Sequence, residues 1–230
     1  MDDVKWGKCR PAAATKLFSP GGYAGGATAW PRRLNGLLNI ALYNMPYPMA
    51  RPTAPSPALL LLAAFSRHRA ALDWARRRAV ETWGPVALES PAFDFDQTDY
   101  YEPTMGPGLS KVFFAFERAF DPGDLAEAKL ATNRWEQQYA AVAGHRERRP
   151  LNLDPGYLAL GKLVLASTKD YAHRVYLSGG IYAEITLFYR HGRWQPHEWT
   201  FADYRRPDYQ QFFTRCRELL HQRIREETAR

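Results

Sequence analysis

The chain reads as an α+β protein: a ferredoxin-like, split βαβ antiparallel sheet with two helices, extended by a C-terminal β-hairpin and helix. Three observations predict this class. From Ala58 onward, short apolar or alternating runs and amphipathic runs follow one another in the order β-α-β-β-α-β. Glycine, alone or with proline, closes each of the two helical runs, as expected where a helix must stop. A second set of alternating runs, folded about Gly179-Gly180, then leads into a last amphipathic stretch.

The elements follow in order. Ala58–Phe65 is an unbroken apolar run of buried-strand length, and Ser66 is placed to cap the next helix. In that helix Leu72, Ala75, Ala79 and Trp83 recur at helical spacing while Arg76, Arg77 and Arg78 face elsewhere, and Gly84-Pro85 ends it. Val86–Asp96 is predicted as a second strand, with Phe93 and Phe95 on one face and Asp94 and Asp96 on the other. A loop rich in Tyr, Pro and Gly separates it from a third strand, Lys111–Arg118. Asp121-Pro122 opens a second helix whose inward stripe is Leu125, Ala128, Thr132, Trp135, Tyr139 and Val142, ending at Gly144. Leu151–Leu153 is expected as a fourth strand, and Asp154 as the cap of a buried helix from Pro155 to about Ser167. His173–Leu177 and Ile181–Tyr189 alternate as a hairpin. The final helix, Asp208 to about Glu227, turns Tyr209, Phe212, Cys216, Leu219 and Leu220 inward.

With 230 residues, 46% of them hydrophobic, the chain can bury a substantial core, which excludes a disordered, collagen-like or disulfide-dense protein. The longest apolar run has eight residues, whereas a membrane span needs about 20. Cys9 and Cys216 lie at opposite ends, so no structural disulfide is expected and a reducing cytoplasm is the simplest compartment. Residues 1–57 differ from the rest, with six Gly, eight Pro and no sustained period. They are expected to be a disordered extension or a mis-assigned start, with Met49 as the alternative. Residues 58–230 are then a single α+β domain. The pair Arg32-Arg33 before an apolar stretch suggests an export signal, but Asn35, Asn39, Pro46 and Pro48 argue against it. The net charge of +7 falls unevenly: residues 1–57 hold seven Lys+Arg and two Asp+Glu, against 24 and 22 in residues 58–230. A high isoelectric point is therefore weak support for nucleic-acid binding by the domain.

Several short words carry a resemblance: Asp94-Phe-Asp96, Thr98-Asp99-Tyr100-Tyr101, Met105-Gly106, Asn152-Leu-Asp154-Pro-Gly-Tyr157, Ser167-Thr-Lys-Asp170, His173-Arg174, Ile181-Tyr-Ala-Glu184 and Trp199-Thr200. Over roughly residues 58–225 the chain resembles a bacterial family, domain of unknown function 4416. The resemblance implies a domain boundary and brings no reaction with it, so the chemistry rests on the residues.

The densest mixture of acid, base and cation is Thr168–Arg174. If Gly179-Gly180 makes a two-residue turn, Ser178 pairs with Ile181 and Val175 with Glu184. His173 then lies diagonal to Glu184 on one face, within hydrogen-bond reach, and Arg174 on the other. Lys169, Asp170, His173 and Glu184 are thus the candidate catalytic group, a His/carboxylate base with a lysine for an anionic substrate; mutual satisfaction of His173 and Glu184 is the simpler alternative. Asp99, Tyr100, Asn152, Asp154, Tyr157 and Arg174 are candidate ligand-binding residues. Asp94, Asp96 and Asp154 could offer oxygen ligands to a divalent metal, although their spacing matches no calcium loop. No zinc motif and no local catalytic triad is present. Gly156–Lys162 copies seven positions of a phosphate-binding loop, but Leu163 stands where the magnesium-binding hydroxyl belongs. The expected partner is a small anionic ligand, phosphate-bearing or nucleotide-like, and no membrane. The alternative is an RNA-binding or protein-interaction module using the clusters at Arg67–Arg78, Arg146–Arg149, Arg205-Arg206 and the last helix, though the third strand lacks the aromatic pattern of the RNA-binding version of this fold.

Overall fold

The computed structural model describes residues 51–229, of which those from Thr53 onward belong to one compact unit. Of the expected extension over residues 1–57, residues 1–50, with Met49 as a start and Arg32-Arg33 as a signal, lie outside the described residues; residues 51–57 are exposed and belong to no strand or helix.

The strands are β1 (Ala58–Ser66), β2 (Val86–Glu89), β3 (Phe93–Asp94), β4 (Ser110–Phe120), β5 (Asn152–Ala159), β6 (Lys162–Ser167), β7 (Val175–Ser178), β8 (Ile181–Arg190) and β9 (Arg193–Pro196). The helices are α1 (Arg69–Trp83), α2 (Glu102–Met105), α3 (Leu125–Val142) and α4 (Pro207–Thr228). Among the described residues the nine strands form one antiparallel sheet in the order β2-β4-β1-β5-β6-β8-β7, with β3 beside β4 and β9 beside β8. The expected C-terminal hairpin is therefore not an appendage. It continues the same sheet through β6, which makes the sheet larger than predicted.

β1 explains the layering. All nine of its residues are buried, because its two faces meet different helices. Leu60, Leu62 and Ala64 pack with Leu72, Ala75 and Ala79 of α1 and Trp135 and Tyr139 of α3. Leu59, Leu61 and Ala63 pack with Phe212, Phe213, Cys216 and Leu220 of α4. A strand covered on both faces reads as a continuous apolar run rather than an alternating one. Phe113 of β4 anchors the α4 side, with ring centroids 4.8 Å from Tyr209 and 5.0 Å from Phe213. Among the described residues no helix is long and apolar enough to cross a membrane.

Several expectations change in detail. Ser66 does not cap α1: His68 holds the cap position, while the Ser66 hydroxyl accepts from the His68 N–H and donates to the Pro150 carbonyl, joining β1 to the chain before β5. Val86–Asp96 breaks into β2 and β3. Val142 is exposed rather than inward, because Ala143, four residues after Tyr139, packs against the core in its place. The helix expected from Pro155 to Ser167 is instead the β5–β6 hairpin, turning at Leu160-Gly161. Its residues are apolar all round because both faces of these central strands are covered, a pattern that does not separate a strand from a buried helix.

That hairpin is only partly closed. β5 and β6 pair from Ala159↔Lys162 to Gly156↔Leu165 and no further. Pro155, next along β5, has no N–H to offer a ladder. A Cβ on Gly156 would lie 2.3 Å from the Val164 carbonyl oxygen and 2.6 Å from Leu165 Cδ2, so only glycine lets the strands meet at the last closed pair. Beyond it, Asn152–Asp154 stay with β1 while Ala166 and Ser167 stay with β8, and the sheet parts.

Candidate functional site

A cavity of about 790 Å³ opens where the sheet parts. One lip is Asn152 and Asp154 of β5, and the other is Leu165, Ala166 and Ser167 of β6. α3 contributes Lys129, Asn133, Glu136 and Gln137, β4 contributes Lys111, and the segments 95–101, 168–174 and 201–204 close the remaining sides.

The edge of β5 left without a partner is satisfied from α3. Leu153 N–H donates to Glu136 Oε1 at 2.8 Å, and the Leu153 carbonyl accepts from Lys129 Nζ at 2.8 Å. Two side chains about two turns apart on one face of α3 thus take the place of the missing strand. Lys129 also donates to Asp154 Oδ1 at 2.8 Å, Asn152 Nδ2 donates to Asp154 Oδ2 at 2.8 Å, and Arg149 donates to Asn152 Oδ1 and to Glu136. Burial alone would raise the Asp154 carboxyl; the charge and hydrogen bond of Lys129, with help from Lys111 and Asn152, hold it below its ordinary value. For Glu136 burial wins over Lys129 and Arg149, and its carboxyl is raised.

Lys111 sits deeper. Its ammonium donates to Asp203 Oδ2 at 2.5 Å and lies 3.9 Å from the centre of the Phe95 ring, with Tyr204 at 5.2 Å. A cation buried this far needs both the carboxylate and the aromatic faces to offset its lost hydration. On the β8 side, Glu184 Oε2 accepts from Arg174 Nε at 2.7 Å and is 3.2 Å from His173 Nε2, while Oε1 accepts from Thr186. At the mouth, Lys169 Nζ donates to the Tyr100 hydroxyl at 2.9 Å and stands 4.5 Å from that ring's centre. That hydrogen bond, then the lysine charge, lowers the Tyr100 phenol below its ordinary value.

The candidate residues named from the sequence divide between the cavity and its outside. Tyr100, Asn152, Asp154, Lys169, Arg174 and Glu184 line the cavity, while Asp99, Tyr157, Asp170 and His173 do not. Tyr157 packs against Phe120, and Asp99 and Asp170 are exposed. His173 reaches Glu184 as expected, but from outside the cavity, stacked on Trp199 with centroids 5.4 Å apart. Two details of that hairpin are corrected. Ser178 pairs with Ile181, yet Val175 pairs with Ala183 rather than Glu184, because the register shifts between Tyr176 and Ser178. Arg174 does not face away from His173: both precede β7 in a turn, where strand alternation does not apply, and both bond Glu184. With Arg174, His173 and Thr186 on it, Glu184 is an anchor for the 168–174 segment. The metal reading of Asp94, Asp96 and Asp154 is not brought together either. Asp94 and Asp96 are exposed outside the cavity, and both Asp154 oxygens already have donors.

Lys111, Lys129, Glu136, Arg149 and Asp203 were not expected at the site. α3 alone carried a readable signal: Lys129 and Glu136 fall on the same stripe as Leu125 and Thr132, where an apolar face should have no charge.

Fold and cavity together define an α+β domain whose sheet is parted by a net cationic cleft. The chain belongs to the family described as domain of unknown function DUF4416, whose model matches residues 56–220 and so takes in every wall of the cleft. No curated protein and no solved structure matches the chain.

Proposed function

We propose that the cleft binds a small anionic ligand, phosphate-bearing or nucleotide-like. One observation carries this reading. Among the described residues, six cationic side chains line the cavity against four carboxylates. Lys111, Lys129, Arg149 and Arg174 each have a carboxylate partner, whereas Lys169 and Arg148 have none among the described residues. The paired cations build the walls, and the two others remain for the ligand. Tyr100, Tyr171 and Phe201, all exposed, offer ring faces beside them. A volume of about 790 Å³ suits a molecule of nucleotide size.

The strand order β2-β4-β1-β5, with α1 and α3 on one face, supports reading the first part of the chain as a split βαβ unit of ferredoxin-like type, to which β6–β9 and α4 are added. In RNA-binding versions of that unit an open sheet face carries stacking aromatics. Here Phe113, Phe114 and Phe116 are buried between helices, and Arg67, Arg69, Arg76, Arg78 and Arg206 of the basic clusters pair with carboxylates of this chain.

A thermal-shift screen of the full chain with nucleotides, sugar phosphates and pyrophosphate tests the proposal, since a ligand of the native state raises the melting temperature. A saturable rise that disappears in Lys169→Ala/Arg148→Ala supports it. No rise with any anion, or an equal rise in the double variant, overturns it. Salt-sensitive RNA binding that survives the double variant favours the alternative module.

A further inference from the structure

The connection between α3 and β5 carries His145 and Glu147 back against His68, the residue preceding α1. We propose that His68, His145 and Glu147 form a binding site for a divalent transition-metal ion of the zinc class, which fastens this connection to the start of α1. Among the described residues this is the one group in which three metal-ligating side chains converge, with one donor atom from each lying within 4.8 Å of the others.

The geometry is close to what an ion requires. His68 Nε2 is 3.0 Å from Glu147 Oε2. Two donors each about 2.0–2.2 Å from one zinc ion stand roughly 3.3–3.5 Å apart at a tetrahedral angle, so this pair needs to open by only a few tenths of an ångström. The two imidazoles are stacked with centroids 3.8 Å apart and planes 16° apart. An ion at their edge needs a tilt of the rings, which partly exposed side chains can make. Two imidazole nitrogens and one carboxylate oxygen suit zinc, cobalt or nickel better than magnesium or calcium, which take oxygen.

The surroundings match those of a held ligand set. Arg67 Nη1 donates to the other carboxylate oxygen of Glu147 at 3.1 Å, leaving Oε2 toward His68. The Tyr139 hydroxyl is 3.0 Å from His145 Nε2 and orients that ring. Such outer partners set the direction of the ligands in metal sites. The Arg67 charge also weakens attraction for a cation, so the site is expected to bind less tightly than one with an unopposed carboxylate. His68 and Glu147 are 79 residues apart, so the cluster ties two distant parts of the chain. The tied connection includes Arg148 and Arg149 of the cavity wall, but the metal proposal does not depend on what the cavity binds.

The full chain, stripped with a chelator, is titrated with Co²⁺ and read by visible ligand-field absorption, with Zn²⁺ added in competition and the melting temperature followed in parallel. The expected result is one ion per chain, displaced by Zn²⁺, with a higher melting temperature. His145→Gln and Glu147→Gln are expected to weaken binding by at least about a hundredfold, and Tyr139→Phe by about tenfold. His191→Gln, in the β8–β9 turn, leaves it unchanged. No stoichiometric uptake by the wild-type chain, or uptake of the same affinity in both ligand variants, overturns the assignment. Glu147 stands in an exterior connection, so its variant tests the site even if a histidine variant folds poorly.

Discussion

Lys111 and Asp203, separated by 92 residues, meet at 2.5 Å with their side chains only 4% and 6% exposed. The pair joins β4 to the turn before α4 in the wall of the cleft. Removing one partner leaves a buried charge alone, which typically costs about 3–5 kcal/mol, whereas replacing both with apolar groups costs far less. Lys111→Met is therefore expected to lower the urea midpoint sharply, and Lys111→Met/Asp203→Leu to regain most of the loss. Equal losses in the single and double variants would contradict this account.

The two carboxyls facing Lys129 should respond to pH with opposite sign. Asp154 is held below its ordinary 3.8, so its contribution to stability is present above that pH and is lost as pH falls through the folded value. Glu136 is raised above 4.5 by burial, so its contribution is complete below that pH and is lost as pH rises through its folded value. Asp154→Asn is expected to flatten the acid limb of the stability curve. Glu136→Gln, which keeps an acceptor for Leu153, should remove a decline on the neutral side. Urea unfolding between about pH 3 and 7 checks both, and curves parallel to wild type would refute the assignments.

Gly156→Ala places a methyl group against backbone that cannot yield, at the last closed pair of β5 and β6. The expected loss is at the upper end of the usual overpacking range, about 3 kcal/mol. Gly161→Ala, where nothing lies within 4 Å of the added carbon, is the control and should cost little. Similar melting temperatures for the two variants would disprove the close approach.

The Tyr100 phenol depends on Lys169. In Lys169→Ala its ionisation should move to higher pH, seen as a delayed component in the ultraviolet titration against a Tyr100→Phe reference. An unchanged titration would mean that the contact does not persist in solution.

Cys216 is fully buried, and burial pushes its thiol up to about 12. In a Cys9→Ser chain the remaining thiol is expected to resist disulfide reagents under native conditions and to react fully in denaturant. Rapid native labelling would place it elsewhere than the core.

How far the sequence could be read follows from how each residue is buried. β1 was plain because eight apolar residues in a row have few other uses. The same signature misled at Leu158 and Leu163–Ala166: strands buried on both faces lose their period, and a single glycine at the turn is a faint break. Tyr100, Asp154 and Lys169 stood out as polar groups in short words between elements. Lys111 was hidden within an apolar strand, and although Lys129 broke the apolar stripe of α3, no local pattern announces the partners of either, 92 and 25 residues away. The shift at β7 was equally silent, because a bulge alters register without altering composition.

The early end of the β5–β6 ladder has a consequence for how the molecule keeps to itself. An unpaired strand rim on the outside of a sheet is a template on which another chain can add, the first step toward swapping or fibrous aggregation. Here the unpaired rim lies within the molecule, walled by α3 and the segments around the cleft, with Leu153 already occupied. A small solute can enter such a gap and a foreign strand cannot. The fold thus keeps the parted edge of its sheet out of reach of neighbouring chains.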